Sequence, residues 1–170
     1  RAAANGLEGL EWGASIPGTV GGAVAMNAGA HAGELAQVLR WAVICGPDGR
    51  RRVGPADLDL RYRHSAVQPG EVVAAAGFAL RPGDPEAIAG RLAVLYETAR
   101  DFAPAARYFF AAAQRATALF GFREALSLAE RGLDATGELG DGPERLQLEL
   151  GLQMIRGLAL RSVKGWAAPE

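Results

Sequence analysis

The sequence predicts an α+β protein in which a small mixed α/β segment is followed by an all-α segment. Runs rich in β-branched residues, separated by turn sequences, are confined to the first half. From about Pro85 onward alanine, leucine, glutamate and arginine dominate, which is a helical composition. The sequence Pro82-Gly83-Asp84-Pro85 lies between the two. We therefore expect two domains, residues 1–84 and residues 85–170.

The composition excludes several classes of protein. Of 170 residues, 49% are hydrophobic and 22% are charged, so a buried core is expected rather than disorder. The formal net charge of -1 argues against a nucleic-acid-binding surface, which needs a basic excess. No apolar stretch is long enough to cross a bilayer, so we expect no membrane association.

Cysteine and histidine are too few for a disulfide or a zinc site. Cys45 is the single cysteine, and the chain has two histidines, His31 and His64. A single cysteine favours a reducing compartment, so we expect a cytoplasmic protein. The chain begins at Arg1 within an alanine-rich pattern, and we therefore expect it to be a piece of a longer protein.

The first half contains three strand-like runs. Residues 38–45 read as a strand, Gly46-Pro47-Asp48-Gly49 as a turn, and residues 50–53 as a returning strand with arginines at a solvated edge. Pro55 begins one turn of helix. Residues 72–80 form a continuous apolar run, which predicts a buried strand that completes the sheet.

The second half reads as four helices with small residues between them. They are predicted at residues 86–100, 103–120, 123–136 and 143–163. Alanines recur where neighbouring helices would pack closely. The aromatic residues between them are predicted to form the inter-helix core, with a peptide-binding groove as the alternative; they are Tyr96, Tyr108, Phe109, Phe110 and Phe122.

A glycine-rich stretch, I-P-G-T-V-G-G-A-V-A-M-N-A-G-A, covers residues 16–30. It would make a poor core strand, because each glycine gives up side-chain packing and adds backbone entropy to be lost. Its physical use is to bring backbone N–H groups close to a ligand, most often a phosphate. The spacing is not that of the dinucleotide fingerprint. The alternative is a tight structural loop followed by a short helix.

A second candidate for chemistry is Leu60-Arg61-Tyr62-Arg63-His64-Ser65. A planar guanidinium binds a carboxylate through two parallel hydrogen bonds and stays protonated, so an arginine suits a substrate that carries negative charge. The alternative is a surface arginine paired with Asp57 or Asp59. Adjacent residues on a strand point to opposite faces, so His64 and Ser65 do not form a hydrolase pair.

These blocks resemble the flavin-binding region of UDP-N-acetylenolpyruvoylglucosamine reductase, a family that makes UDP-N-acetylmuramate for bacterial peptidoglycan. The blocks are Gly9-Leu10-Glu11, then S-I-P-G-T-V-G-G-A at residues 15–23, M-N-A-G-A at residues 26–30, and Tyr62-Arg63-His64-Ser65. They occur in the family's order over residues 1 to about 85. The resemblance implies a partial flavin-binding fold of the vanillyl-alcohol-oxidase type.

The resemblance also implies chemistry and site residues. The family passes a hydride from NADPH to FAD and then to UDP-N-acetylglucosamine enolpyruvate. By position in the matching block, Arg63 is implied to be catalytic and Tyr62 to bind substrate. The residues implied to bind the cofactor are Gly18, Thr19, Val20, Gly21, Gly22, Asn27, Gly29 and Val73.

The chain departs from the family in two ways. The family's protonating serine and late active-site glutamate have no counterpart after Pro85, and its N-terminal flavin-binding subdomain is missing ahead of Arg1. We therefore expect an incomplete enzyme. The isolated chain is expected to be inactive and to bind FAD weakly or not at all.

The second half resembles the tetratricopeptide-like helical repeats of large bacterial ATPase and cyclase-type regulators. The likeness rests on Leu95-Tyr96-Glu97, Asp101-Phe102 with A-A-R-Y-F at residues 105–109, and Glu124-Ala125-Leu126. It also rests on the ending K-G-W-A-A-P-E at residues 164–170, of which residues 165–170 lie outside the part of the chain that the structure describes. It implies a protein partner for this half. The alternative function is therefore a tetratricopeptide-type interaction module fused to a relic flavin-binding segment.

Overall fold

The computed structural model describes residues 2–164, which form two compact units. The α/β unit comprises Leu7–Pro82, and the helical unit comprises Gly83 onward together with Ala3–Gly6. The change from one unit to the other falls inside the Pro-Gly-Asp-Pro sequence proposed above as the domain boundary. Small sheets in one unit and long helices in the other confirm the mixed α and β class.

The α/β unit contains one short helix and seven strands. In chain order these are β1 (Leu7–Glu8), α1 (Val20–Ala25), β2 (Gly29–Ala30), β3 (Gly33–Glu34), β4 (Leu39–Gly46), β5 (Gly49–Val53), β6 (Val72–Phe78) and β7 (Arg81–Pro82). Single turns of 3₁₀ helix lie at Glu11–Gly13, Leu35–Gln37 and Pro55–Leu58. All pairing is antiparallel: β1 with β7, β2 with β3, and a three-stranded sheet in the order β5-β4-β6.

The three-stranded sheet has β4 at its centre. A two-residue connection, Pro47-Asp48, joins β4 to β5, and Gly49 after it has φ +103, a conformation that favours glycine. Both strands lie within one residue of their predicted positions. Cys45 is half-buried near the end of β4.

The burial predicted for residues 72–80 was wrong. β6 exists, but Val72 is 64% exposed and Ala74 and Ala75 are exposed. The reason is its position, because β6 is an edge strand that pairs only with β4. The pairing also shifts between Val73 and Ala75, leaving Ala74 outside the ladder. Only one side of β6 therefore packs on the core.

The core of the α/β unit lies between the sheet, α1 and the 3₁₀ turns. Its buried members are Val24, Leu35, Leu39, Ala42, Ile44 and Leu58. On the sheet, the Trp41 ring covers Gly77, where an added Cβ would lie 2.3 Å from the indole. The Arg52 guanidinium carbon lies 4.4 Å from the centroid of the Trp41 ring. The indole is thus held between a strand and a cation.

The helical unit contains α2 (Pro85–Thr98), α3 (Phe102–Ala118), α4 (Phe122–Gly137) and α5 (Pro143–Lys164). The helix ends fall within about two residues of the predicted ones, and a capping sequence marks the start of α2. At α2, the Asp84 carboxylate accepts the N–H groups of Glu86 at 3.4 Å and Ala87 at 3.2 Å, and Pro85 takes the first helical position.

Small residues bring these helices close together. Most buried positions are alanines, and Gly132 of α4 faces Leu152 of α5 and Phe109 of α3, where an added Cβ would lie 2.7 Å and 3.2 Å from their side chains. Phe109 is fully buried. The other aromatic residues predicted as inter-helix core also pack against the core clusters; they are Tyr96, Tyr108, Phe110 and Phe122. The tetratricopeptide-like architecture itself stays a prediction.

Candidate functional site

The glycine-rich loop presents bare backbone at the surface of the α/β unit. Gly18 has φ +133, and no atom lies within 4 Å of the place where its Cβ would be. Thr19 caps the N-terminus of α1, and its Oγ1 accepts the N–H of Gly22 at 3.1 Å. The first N–H groups of a helix have no acceptor within it, and here they belong to Val20 and Gly21. The loop therefore offers N–H donors beside an open space.

Two of the predicted residues meet where α1 lies against β6. A Cβ on Gly21 would come within 3.2 Å of the Val73 carbonyl oxygen, so glycine at this position lets the helix approach the strand. A Cβ on Gly22 would make only an ordinary contact with Thr19 Oγ1 at 3.5 Å. The fold thus brings Val73 next to the glycine-rich loop.

The β2–β3 hairpin provides the neighbouring surface. Its turn residues His31 and Ala32 have φ +49 and +62, the backbone of a tight turn that usually holds glycine or asparagine. A Cβ on Gly29 would lie 2.7 Å from the Gly33 carbonyl oxygen, and the Trp12 ring lies directly over Gly33. Gly29 is therefore needed for close pairing, and His31 is exposed in the turn.

Asn27 lies beneath this surface. It is 3% exposed, and its φ of +39 is one that asparagine tolerates. Its Nδ2 donates to Glu34 Oε2 and to the Arg61 carbonyl, both at 3.1 Å, and its Oδ1 accepts the Ala36 N–H at 2.9 Å. Protein groups thus engage both ends of the amide, and the residue joins the hairpin to the Tyr-Arg segment.

Tyr62 and Arg63 occupy the tip of a tight turn. Arg61 and His64 exchange backbone hydrogen bonds of 3.2 Å and 3.0 Å across it, and Arg63 has φ +53. Tyr62 is 86% exposed. Arg63 Nη2 donates to the Gly29 carbonyl at 3.1 Å, and its guanidinium carbon lies 5.6 Å from the centroid of the Tyr62 ring. The turn therefore places both side chains beside the hairpin.

The surface ion pair considered as an alternative for Arg63 is made by Arg61. Arg61 donates through Nε to Asp59 Oδ1 at 2.9 Å and through Nη2 to Asp59 Oδ2. Its hydrogen bond lowers the pKa of Asp59, and His64, 3.8 Å away, adds a smaller electrostatic contribution in the same direction. Asp59 thus pairs with Arg61, and the hydrogen bond recorded for Arg63 is the one to Gly29.

Ser65 supports the site from below. It is buried, its Oγ donates to the Ala25 carbonyl at 2.6 Å, and the same Oγ accepts the Val67 N–H at 3.3 Å. These bonds fix the Tyr-Arg segment to the end of α1. Sequence reasoning missed this role and that of Asn27, because no local pattern indicates which partners, many residues away, a buried polar side chain will meet.

Two arginines of β5, Arg51 and Arg52, contact other side chains on the sheet. Arg51 makes a two-point ion pair with Glu71, and this bond, together with the Gln68 N–H, lowers the pKa of Glu71 to about 2. Arg52 covers Trp41.

Between residues 2 and 164 no cluster of three or more histidine, cysteine, aspartate or glutamate side chains could hold a metal ion. Within the same range no helix is both long and apolar enough to span a membrane.

The first half of the chain is similar to proteins that are already known. The sequence model of a family described as FAD binding domain matches residues 1–53. The chain is 52% identical over 93 residues to a UDP-N-acetylenolpyruvoylglucosamine reductase from Acidiphilium cryptum, a match that covers 54% of this chain and 30% of that protein. It is 54% identical over 93 residues to the reductase of that name from Rubrobacter xylanophilus, covering 53% of this chain and 31% of the relative.

A solved structure shows the same similarity. The crystal structure of a UDP-N-acetylenolpyruvylglucosamine reductase from Thermus caldophilus matches with a TM-score of 0.54 and 37% sequence identity. That match covers 59% of this chain and 38% of the other. The chain thus spans about a third of the length of the curated relatives it matches. The N-terminal half of this chain is therefore similar in sequence and in fold to part of the UDP-N-acetylenolpyruvoylglucosamine reductases.

Proposed function

We propose that the α/β unit forms one wall of the FAD cleft of a cytoplasmic reductase of peptidoglycan precursor synthesis. The reaction would be the NADPH-dependent reduction of UDP-N-acetylglucosamine enolpyruvate to UDP-N-acetylmuramate. The observation that carries the proposal is an exposed arginine, Arg63, fixed by a carbonyl beside the glycine-rich loop. The first half of the chain that carries it is about 50% identical to UDP-N-acetylenolpyruvoylglucosamine reductases.

The loop fits the diphosphate of FAD. Gly18 has a conformation that favours glycine and an open space beside it, and the N–H groups of Val20 and Gly21 have no acceptor in α1. We assign these N–H groups to the diphosphate, with Thr19 holding the loop in shape. Val73, which lies against Gly21, would face the flavin ring. When bound, FAD supplies the site for hydride transfer between NADPH and the substrate.

Arg63 would bind the carboxylate of the enolpyruvyl group. One N–H of its guanidinium is directed to the Gly29 carbonyl, which fixes the plane of the group, and its other N–H donors can take a carboxylate in a two-point contact. The guanidinium stays charged in any such site, so it can stabilise negative charge that develops on the substrate. The exposed Tyr62 ring beside it would contact the substrate.

Asn27 is proposed to act through other residues. Its buried amide holds the Arg61 carbonyl and the Glu34 carboxylate, and so fixes the turn that presents Arg63 against the hairpin. We therefore assign Asn27, predicted from the sequence as a direct cofactor ligand, to a supporting role. Gly29 contributes its carbonyl to Arg63 in the same arrangement.

The proposal is tested in a chimera, because the chain spans only about a third of its relatives. Residues 7–82 replace the matching segment of the Acidiphilium cryptum reductase, and flavin content and NADPH oxidation are measured. We expect the chimera to retain FAD and activity. Arg63→Met should lower kcat by about 10²-fold or more with unchanged flavin content, since a charge-stabilising donor is lost. The isolated chain should bind FAD weakly or not at all, as judged by gel filtration.

Arg61→Met provides the matched control. Arg61 lies two residues away, carries the same charge and forms an exposed pair with Asp59. Its removal should leave kcat within about twofold, since exposed ion pairs contribute little. Equal losses for the two variants would contradict the assignment of Arg63. A chimera that folds but holds no flavin would contradict the assignment of the loop.

For the helical unit we propose a protein partner. The observation that supports it is the row of exposed apolar residues on its last helix, which includes Leu146, Leu150 and Met154.

A further inference from the structure

Arg63 is held in place at two points. At its side chain, Nη2 donates to the Gly29 carbonyl at 3.1 Å. At the backbone, the carbonyl of Arg61, two residues earlier in the same tight turn, accepts the Asn27 amide at 3.1 Å. The first contact sets the direction of the guanidinium, and the second sets the position of the turn that carries it.

Glu34 contacts both of these points. It lies opposite Gly29 in the β2–β3 pair, where a Cβ on Gly29 would lie 2.9 Å from the Cβ of Glu34. Its Oε2 accepts Asn27 Nδ2 at 3.1 Å, and the same Nδ2 donates to the Arg61 carbonyl. Each contact of Glu34 is therefore one step away from a group that holds Arg63.

The Asn27 amide has little freedom to change partners. Asn27 is 3% exposed, so there is little room for water to replace the Glu34 carboxylate. The Asn27 Oδ1 accepts the Ala36 N–H at 2.9 Å, which fixes the opposite end of the amide. If the carboxylate were removed, a buried donor would lose its acceptor, and the amide would gain free energy by turning away from the Arg61 carbonyl.

Glu34 is itself fixed by the residues around it. Its N–H donates to Gln37 Oε1 at 3.3 Å, and the next residue, Leu35, is buried in the core of the α/β unit. The Leu35 N–H donates to the Ala28 carbonyl at 2.9 Å, beside the close pairing at Gly29. A supporting residue must be held in this way if it is to fix the geometry of another.

We propose that Glu34 is a positioning residue for Arg63, acting through the Asn27 amide and the Gly29 backbone. The catalytic consequence rests on the proposed function of Arg63, whereas the conformation of the turn is measured independently of it. Glu34 supplies a hydrogen-bond acceptor at the end of a side chain of the right length. Glu34→Gln keeps this acceptor and this length, and Glu34→Met keeps the length but has no comparable acceptor.

Limited trypsin digestion of the full chain, followed by mass spectrometry, tests the conformation without an activity assay. Cleavage after Arg63 requires local opening of the turn, whereas cleavage after Arg40 requires opening of β4, the central strand of the sheet. Glu34→Met should raise the rate after Arg63 about fivefold and leave the rate after Arg40 within about twofold. Glu34→Gln should resemble the parent. Equal increases at both bonds, or no increase after Arg63, would overturn the proposal.

Glu71→Met provides the matched control. Glu71 is another carboxylate of the α/β unit that accepts hydrogen bonds from its neighbours, in its case from Arg51 and the Gln68 N–H. Its loss should leave cleavage after Arg63 unchanged. An increase after Arg63 as large as that of Glu34→Met would show a general loosening of the unit, and would also overturn the proposal.

The catalytic consequence is measured in the chimera with the Acidiphilium cryptum reductase. Glu34→Met should lower kcat about tenfold at unchanged flavin content, and Glu34→Gln should stay within about twofold of the parent. In an Arg63→Met background, Glu34→Met should lower kcat by less than about twofold more, because no guanidinium remains to be positioned.

The kinetic outcomes separate this proposal from the proposed function. A tenfold loss from Glu34→Met in both backgrounds would reject a role through Arg63. If Arg63→Met leaves kcat unchanged, the proposed function fails instead. In that case the digestion of the full chain still decides whether Glu34 positions the turn.

Discussion

At the scale of single residues, buried polar side chains help to shape the candidate site alongside its glycines. Asn27 makes three hydrogen bonds, and Ser65 makes two. Both residues fall inside the blocks that resemble the reductases, so the sequence placed them near the site. It could not reveal their roles, because their partners lie up to 40 residues away along the chain.

Replacing Asn27 by aspartate tests its supporting role. Aspartate has the same shape and also tolerates φ of +39, but it removes the donors to Glu34 and to the Arg61 carbonyl. We expect the free energy of unfolding to fall by about 1–3 kcal/mol, measured by urea titration. Gln114→Glu makes the same chemical change at an exposed position and should have little effect. Unchanged stability in Asn27→Asp would contradict the hydrogen-bond network.

The ion pair between Glu71 and Arg51 predicts a defined pH dependence. Folding lowers the pKa of Glu71 from 4.5 to about 2, so the native state binds fewer protons than the unfolded chain between these values. The stabilisation is present above about pH 4.5 and is lost as the pH falls to about 2. The difference in stability between the parent and Glu71→Gln should therefore vanish over this range in acid titrations. Arg51→Met should give a similar difference curve.

At the scale of elements, helices were easier to predict than sheet burial. The ends of α2 to α5 follow from local signals such as Asp84 and Pro85, which act within one turn. The burial of β6 depends on which strands lie beside it, and this is decided by pairing with β4, about 30 residues earlier in the chain. A run of alanine and valine has the same apolar composition whether the strand lies at the edge or at the centre of a sheet. Composition alone therefore led to a wrong prediction of burial for β6.

Two glycine substitutions separate close packing from helix propensity. Gly132→Ala would place a Cβ 2.7 Å from Leu152, so we expect a loss of about 1–3 kcal/mol in the free energy of unfolding. Gly90→Ala in α2 meets no atom within 4 Å and should stabilise by about 0.5–1 kcal/mol. Thermal melts followed by circular dichroism at 222 nm compare them. Opposite signs are expected, and equal signs would contradict the packing of α4 on α5.

At the scale of the whole molecule, the two units have separate cores. The core of the α/β unit contains Ile44 and Leu58, and that of the helical unit contains Phe109 and Leu152. The change in composition near Pro85 predicts a division at this point of the sequence. The order of the strands within the α/β unit was not predictable, because it depends on long-range pairing.

Separate cores predict separable unfolding. Trp12 and Trp41 belong to the α/β unit, whereas most of the helix signal at 222 nm comes from α2 to α5. In a Trp166→Phe background, urea unfolding followed by tryptophan fluorescence and by circular dichroism should give different midpoints. Gly132→Ala should lower the second midpoint and leave the first in place. Coincident transitions that move together would contradict two cooperative units.

The α/β unit begins and ends at neighbouring points. Leu7 and Glu8 pair with Pro82 and Arg81, and outside this ladder the Gly83 N–H donates to the Gly6 carbonyl at 2.9 Å. A segment whose termini lie side by side can be spliced into a surface loop of an unrelated host without forcing that loop apart. We therefore expect that residues 7–82 can be inserted into another protein through short linkers, and that this segment tolerates circular permutation.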